Sequence, residues 1–147
     1  MRGYYKKVLF NHPDKLLSTV LGLVAIHSLA MGLTLIAQPA VLMAFAGFGS
    51  DYERFFPAQG GVFHLLMFVV YLMGATHIEQ YYYFIVFSIF VKAVATFFLT
   101  IYCFAAEFKW IVFLSGIADG VMGLMIFLAF QYYLRSKKST ALGVQNE

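Results

Sequence analysis

Four ionisable side chains lie within long apolar segments of this sequence, and they are the residues best placed to do chemistry. They are His27, His64, Lys92 and Asp119, one in each of four segments. A lysine at the centre of a membrane-spanning helix costs about 2.5 to 3.5 kcal/mol on insertion scales, so it faces the bundle interior and needs a partner there. We therefore predict a buried polar centre in which Lys92 pairs with Asp119.

Lys92 belongs to a stripe of polar residues along its own segment. Ser88, Lys92, Thr96 and Thr100 recur at every fourth position, and residues with this spacing share one face of an α-helix. Because this face must contact protein or water, we expect it to border an interior pocket together with side chains from neighbouring segments. The residues predicted to line that pocket are Thr34, Gln38, Tyr71, Ser88 and Thr96.

The composition places the chain among membrane proteins. Its 147 residues are 62% hydrophobic and 12% charged, with a mean hydropathy of +0.80, whereas soluble domains are about 45 to 50% apolar and 25% charged. The single cysteine, Cys103, allows no disulfide within the chain. No phosphate-binding glycine loop or nucleophile elbow is present, and the basic residues form no nucleic-acid-binding patch.

The elements that must position the polar centre are transmembrane helices. The hydrophobic pattern predicts an all-α, polytopic membrane protein, and the short turns between helices predict an antiparallel four-helix bundle. We expect one membrane domain over residues 1–147. The predicted helices cover about 16–36, 58–75, 82–104 and 110–134, and residues 37–57 are predicted to be an interfacial or extended segment with aromatic side chains at headgroup level.

Charged residues at the helix ends predict the orientation of the chain. Basic residues flank both termini, whereas the connections after the first and third helices carry mixed charge, so both termini are predicted to be cytoplasmic. The basic leader also resembles that of a signal peptide. The apolar run that follows is longer than the usual 7 to 15 or so residues, which favours a retained span. The flanking basic residues are Arg2, Lys6, Lys7, Lys15, Arg135, Lys137 and Lys138.

Four interpretations of the polar centre remain open. In the first interpretation it is a structural network that sets helix register. In the second it is the polar end of a pocket for a lipid-soluble molecule such as a quinone, an isoprenoid or an aromatic compound. In a third interpretation His27 and His64 ligate haem iron or, with Asp119, a divalent metal. In the fourth, Lys92, Asp119 and the histidines form a path for protons or a solute.

Two stretches carry a resemblance to a known group of proteins. RFFPAQGGVFHLLMF at 54–68 and SGIADGVMGLM at 115–125 resemble the small bacterial four-helix membrane proteins of the DoxX-like and BphX-like families. The resemblance implies a four-helix protein of the inner membrane, often an accessory to a redox or aromatic-degradation system.

The function that we predict is that of an accessory or assembly subunit of a membrane complex, with a small hydrophobic ligand as a further expectation. Its expected partners are the lipid bilayer and another membrane protein or a second copy of the chain. No catalytic residue and no cofactor is assigned. The alternative function is a membrane redox or ligand-transforming protein with a haem or metal held by His27 and His64.

Overall fold

The computed structural model describes residues 12–48, 52–106 and 108–144. Within these ranges the chain forms helices and short connections, and no β-strand is present. Part of the predicted basic leader, with Arg2, Lys6 and Lys7, lies outside the described residues. The helices are α1 (Pro13–Ala37), α2 (Ala40–Phe45), α3 (Phe55–Thr76), α4 (Tyr82–Ala105) and α5 (Trp110–Val144).

Local sequence signals explain where α1 and α2 begin and end. Pro13 occupies the first turn of α1, where its missing N–H would have had no helical partner. The helix ends at Ala37: the next residue, Gln38, has a left-handed φ of 48°, and Pro39 after it cannot continue the hydrogen-bond ladder. The short α2 begins directly after this proline. After α2 the chain turns at Gly47, whose φ is 87°. Glycine adopts this left-handed conformation without steric cost.

The last helix is longer than the sequence predicts. A helix end was expected near residue 134, but α5 continues to Val144. The added turns contain Arg135, Lys137 and Lys138, and arginine and lysine have high helix propensity. Lys137 is also held by an ion pair with Glu79, in the turn that joins α3 to α4.

Four of the helices are long and apolar enough to cross a bilayer. They are α1, α3, α4 and the Trp110–Ser139 part of α5, with hydropathies of 1.6 to 2.3 and 22 to 30 residues each. Their outward faces are covered with large apolar side chains, such as Phe90 and Phe97, which are 62% and 70% exposed. This surface suits lipid, because a chain in water rarely exposes so much apolar area. The structure thus confirms the predicted all-α, four-helix transmembrane fold.

The four long helices form a closed ring in the order α1, α3, α4, α5. Each contacts its two neighbours in the ring, and the α1–α3 contact is the most extensive. Gly32 and Gly61 face each other at this crossing: a β-carbon at Gly61 would lie 2.8 Å from the carbonyl oxygen of Gly32. Glycine at both positions therefore lets the two backbones approach closely.

The hydrophobic core fills one half of the bundle. We call this the terminal half, because it contains the start of α1 and the later turns of α5, together with the α3–α4 turn. Its core side chains have almost no exposed surface. They include Leu17, Leu21, Val24, Tyr71, Ile85, Ile126 and Phe130.

Candidate functional site

A buried ion pair joins α4 to α5 near the middle of the bundle. Lys92 Nζ donates a hydrogen bond to Asp119 Oδ1, and the two side chains are 3% and 12% exposed. The ammonium also lies 5.6 Å from the ring centroid of Tyr71 on α3, within the range of a cation–π interaction. The structure thus brings together three of the predicted site residues from three different helices.

Glycines on α5 make room for this lysine. Gly116, Gly120 and Gly123 lie against α4, where added β-carbons would approach Leu99, Thr96 and Lys92 within 3.2, 3.2 and 2.9 Å. The polar stripe of α4 therefore packs on the glycine face of α5. This close contact directs the lysine side chain along α5 towards Asp119, one helical turn before Gly123.

The hydroxyl groups of the stripe are used within α4 itself. Ser88, Thr96 and Thr100 each donate a 2.7 Å hydrogen bond to the carbonyl oxygen four residues earlier in the helix. This is the usual way in which serine and threonine are accommodated inside a helix. Of the stripe, only Lys92 reaches a side chain on another helix.

A cavity of about 290 Å³ lies between α3 and α4 beside the ion pair. It occupies the half of the bundle opposite to the terminal half, and Met67 and Tyr71 belong both to the hydrophobic core and to the cavity wall. Lys92 and Asp119 border it together with His64 and with Ser28 from α1. Its apolar walls include Leu35, Phe63, Val91, Ala95, Phe98 and Leu99.

Polar groups at this cavity lack partners within the protein. The Ser28 side chain is fully buried, and its Oγ has no hydrogen-bond partner among the described residues. Within the described part of the chain, neither the Tyr71 hydroxyl nor the His64 imidazole forms a hydrogen bond. The cavity therefore combines apolar walls, a neutralised ion pair and several polar groups that are free to bind something else.

Other predicted site residues lie away from this cavity. His27 and Thr34 are half-buried on α1, and neither lines the cavity, although His27 interacts electrostatically with Lys92, Asp119 and His64. Ser88 is buried and bonded to its own helix. Thr96 borders a different groove of about 480 Å³, on the outer surface between α4 and α5.

Gln38 holds the connection between α1 and α3 and lines no part of the cavity. Its Nε2 donates to the carbonyl oxygen of Arg54 at 2.7 Å, while its Oε1 accepts from Arg54 Nε and from the Tyr52 hydroxyl, both at 3.1 Å. The side-chain amide thus makes three of the four hydrogen bonds that it can form. Glu53 completes this region by accepting the backbone N–H groups of Phe55 and Phe56 at the start of α3.

The three-ligand metal site considered from the sequence does not form among the described residues. Within 12–48, 52–106 and 108–144, no three His, Cys, Asp or Glu side chains lie close enough to hold a metal ion. Asp119, the proposed carboxylate ligand, is occupied by Lys92. Haem or metal ligation by His27 and His64 alone stays a prediction.

No protein-family model matches this chain. No curated protein and no solved structure is significantly similar to it either. The function must therefore be argued from the geometry of the site.

Sequence reasoning missed the most informative polar group. The sequence does not single out Ser28, because a serine in an apolar helix ordinarily bonds to its own backbone. Its spacing from Gly32 and Leu35 does place all three on one face of α1. That spacing indicates a shared face but not that the hydroxyl is left without a partner.

Proposed function

We propose that this protein is a non-enzymatic integral membrane protein that holds a small hydrophobic ligand between α3 and α4 and serves as an accessory subunit of a membrane complex. The observation that carries the proposal is the cavity of about 290 Å³ with apolar walls and unpartnered polar groups beside the Lys92–Asp119 pair. Ligand sites in helix bundles have this composition: mostly apolar, with a few convergent polar groups.

A purely structural network accounts less well for Ser28. Buried polar networks stabilise a fold when their members are satisfied, and an unsatisfied buried hydroxyl costs about 1 to 3 kcal/mol. The α4 hydroxyls and the ion pair are satisfied, but Ser28 Oγ is not. A bound molecule that hydrogen-bonds to it removes this cost.

The accessory role is supported by what the cavity lacks. Among the described residues, Asp119 is the only carboxylate that borders it, and this acid is paired with Lys92, so this part of the chain offers no second carboxylate for acid–base catalysis. The resemblance of 54–68 and 115–125 to DoxX-like and BphX-like proteins favours the same role, with a second membrane protein or another copy of the chain as partner.

Probe binding in nanodiscs tests the ligand proposal. We expect 1-naphthol to bind the native protein, and Ala95→Phe to abolish that binding because the new ring fills the cavity. Ala93→Phe is the matched control, since Ala93 is exposed and borders the separate α4–α5 groove. Equal binding by the native protein and a folded Ala95→Phe variant contradicts the proposal.

We further propose that the protein lies in the inner membrane with both termini cytoplasmic, as the basic flanks favour. Single cysteines test this orientation in a Cys103→Ser background: Ser139→Cys, near the end of α5, and Phe108→Cys, in the α4–α5 turn. Both positions are exposed. A membrane-impermeant maleimide added to intact spheroplasts should label position 108 and leave position 139 unlabelled. The reverse pattern contradicts the orientation.

The accessory role is tested by mass spectrometry of protein purified gently from native membranes. We expect a second membrane protein to co-purify in stoichiometric amount. If the protein is isolated without any partner and is as stable as it is in the native membrane, the accessory role is contradicted. The ligand proposal does not depend on this result.

A further inference from the structure

The cavity opens towards lipid. Of the residues that line it, Phe63 on α3 and Phe98 on α4 are the exposed ones, at 50% and 63%, and the rest are buried or half-buried. The contact between α3 and α4 is also the least extensive of the four in the ring. Both helices present their outer faces to the bilayer, so a molecule dissolved in lipid reaches the cavity by passing between two phenylalanine rings.

We propose that the cavity takes an uncharged, ring-containing molecule with one hydroxyl or carbonyl group, which enters from the bilayer between Phe63 and Phe98 and hydrogen-bonds to Ser28. This inference rests on the proposed function, and it specifies the chemical class of the ligand and its route of entry.

The size and the walls of the cavity favour a ring system. A dry cavity of about 150 Å³ accommodates benzene, and this one is about 290 Å³, so it has room for about two fused rings. Phe63, Tyr71 and Phe98 supply aromatic surface on two sides. Aromatic rings pack well against one another in offset or edge-to-face arrangements.

The ion pair favours an uncharged ligand. Lys92 and Asp119 neutralise each other, so an additional ion in the cavity would have no counter-charge. Moving an unpaired charge out of water into such an environment is strongly unfavourable. A ligand that arrives through lipid is subject to the same restriction.

The unpartnered groups favour a single hydroxyl or carbonyl on the ligand. Ser28 Oγ is buried and unbonded, and a hydroxyl both donates and accepts hydrogen bonds. Tyr71, with the same capacity, borders the same cavity. A purely hydrocarbon ligand would leave Ser28 Oγ unsatisfied.

Matched probes test the chemistry. 1-Naphthol and 1-methylnaphthalene have nearly the same shape and differ in one hydroxyl, and 1-naphthoate adds a charge. For the native protein in nanodiscs we expect 1-naphthol to bind about tenfold more tightly than 1-methylnaphthalene, a difference of about 1.4 kcal/mol, and 1-naphthoate to bind most weakly. Ser28→Ala should bring the ratio close to one while leaving the affinity for 1-methylnaphthalene unchanged. Ala95→Phe serves as the blank for partition into lipid.

The outcomes separate this inference from the proposed function. Three results would overturn the inference and leave a hydrophobic-ligand site in place. The native protein could bind 1-naphthol and 1-methylnaphthalene with equal affinity, or the ratio of these two affinities could be unchanged in Ser28→Ala. The third such result is that 1-naphthoate binds most tightly. If none of the three probes binds above the Ala95→Phe blank, the inference and the proposed function fail together.

Exchange kinetics test the route of entry. Phe63→Ala and Phe98→Ala widen the proposed opening, so both should exchange bound 1-naphthol with lipid several-fold faster than the native protein. Phe97→Ala is the control, because Phe97 is at least as exposed as the other two phenylalanines but borders the α4–α5 groove. Unchanged exchange in both α3 and α4 variants would overturn entry between these helices.

Discussion

Gly123 of α5 lies directly against the stem of Lys92: a β-carbon at position 123 would be 2.9 Å from Lys92 Cβ. That separation is shorter than carbon atoms tolerate without a shift of one partner, and the contacted atom is the rigid start of the side chain. The absence of a side chain at Gly123 therefore lets α4 approach α5 and lets Lys92 extend to Asp119.

Gly123→Ala should consequently destabilise the bundle, by about 1 to 3 kcal/mol as in other overpacked interiors. Gly22→Ala is the matched control, because a β-carbon there meets nothing within 4 Å, and alanine in a helix is favoured over glycine by roughly 0.5 to 1 kcal/mol. Unfolding in mixed micelles measures both free energies. A gain in stability for both variants would contradict the proposed contact.

Removing one member of the ion pair should cost more than removing both. Lys92→Met leaves the Asp119 carboxylate buried without its counter-charge, and Asp119→Leu does the same to the lysine. Each single variant is expected to lose about 3 to 5 kcal/mol, whereas the double variant, with no unpaired charge, should be more stable than either. A double-mutant cycle in the same unfolding assay measures the coupling. Additive losses would show that the two charges do not stabilise each other.

Gln38→Leu should expose the connection between α1 and α3 to protease. The Gln38 amide binds the carbonyl oxygen of Arg54, which belongs to the peptide bond that trypsin cleaves after Arg54. Loss of its three hydrogen bonds, at about 1 kcal/mol net each, should raise the rate of cleavage about a hundredfold when cleavage follows local opening. Gln80→Leu, an exposed glutamine in the α3–α4 turn, is the control. Cleavage as slow as in the native protein would contradict the role of Gln38.

The stability of the terminal half should fall at acid pH through Glu79. Lys137 Nζ donates to Glu79 Oε1 at 2.6 Å, and this hydrogen bond, with the lysine charge, holds the pKa of Glu79 below its ordinary 4.5. Because the folded pKa is lowered, the contribution is present above pH 4.5 and is lost as the pH falls through the folded pKa. Both side chains are mostly exposed, so the effect should be small and screened by salt.

Thermal unfolding at several pH values measures this dependence. Glu79→Gln should flatten the fall in Tm below pH 4.5, and Lys137→Met should flatten it to a similar extent. Glu53→Gln, at the start of α3, serves as the carboxylate control at the other end of the bundle. If the Tm of Glu79→Gln falls below pH 4.5 as steeply as that of the native protein, the loss of stability at acid pH comes from other carboxylates.

The spans follow from the sequence because the bilayer dictates them. A helix must satisfy its own backbone in lipid and be long enough to cross it, so an apolar stretch of about 20 residues defines its own structure. The pairing of Lys92 with Asp119 follows for the same reason, since these opposite charges lie at similar depth on neighbouring helices and neither is tolerated alone.

Tertiary structure decided which polar residues share the cavity. Helical periodicity relates residues on one helix, but it does not specify how that helix is rotated against its neighbours or how far two helices diverge. The packing turned Ser28 and His64 to the cavity, left His27 outside it and carried Gln38 to the connection at the end of α1. The loose α3–α4 contact, which opens the cavity between Phe63 and Phe98, contrasts with the close α1–α3 and α4–α5 packing that glycines allow. Such distances between helices depend on the packed bundle as a whole, so no single segment encodes them.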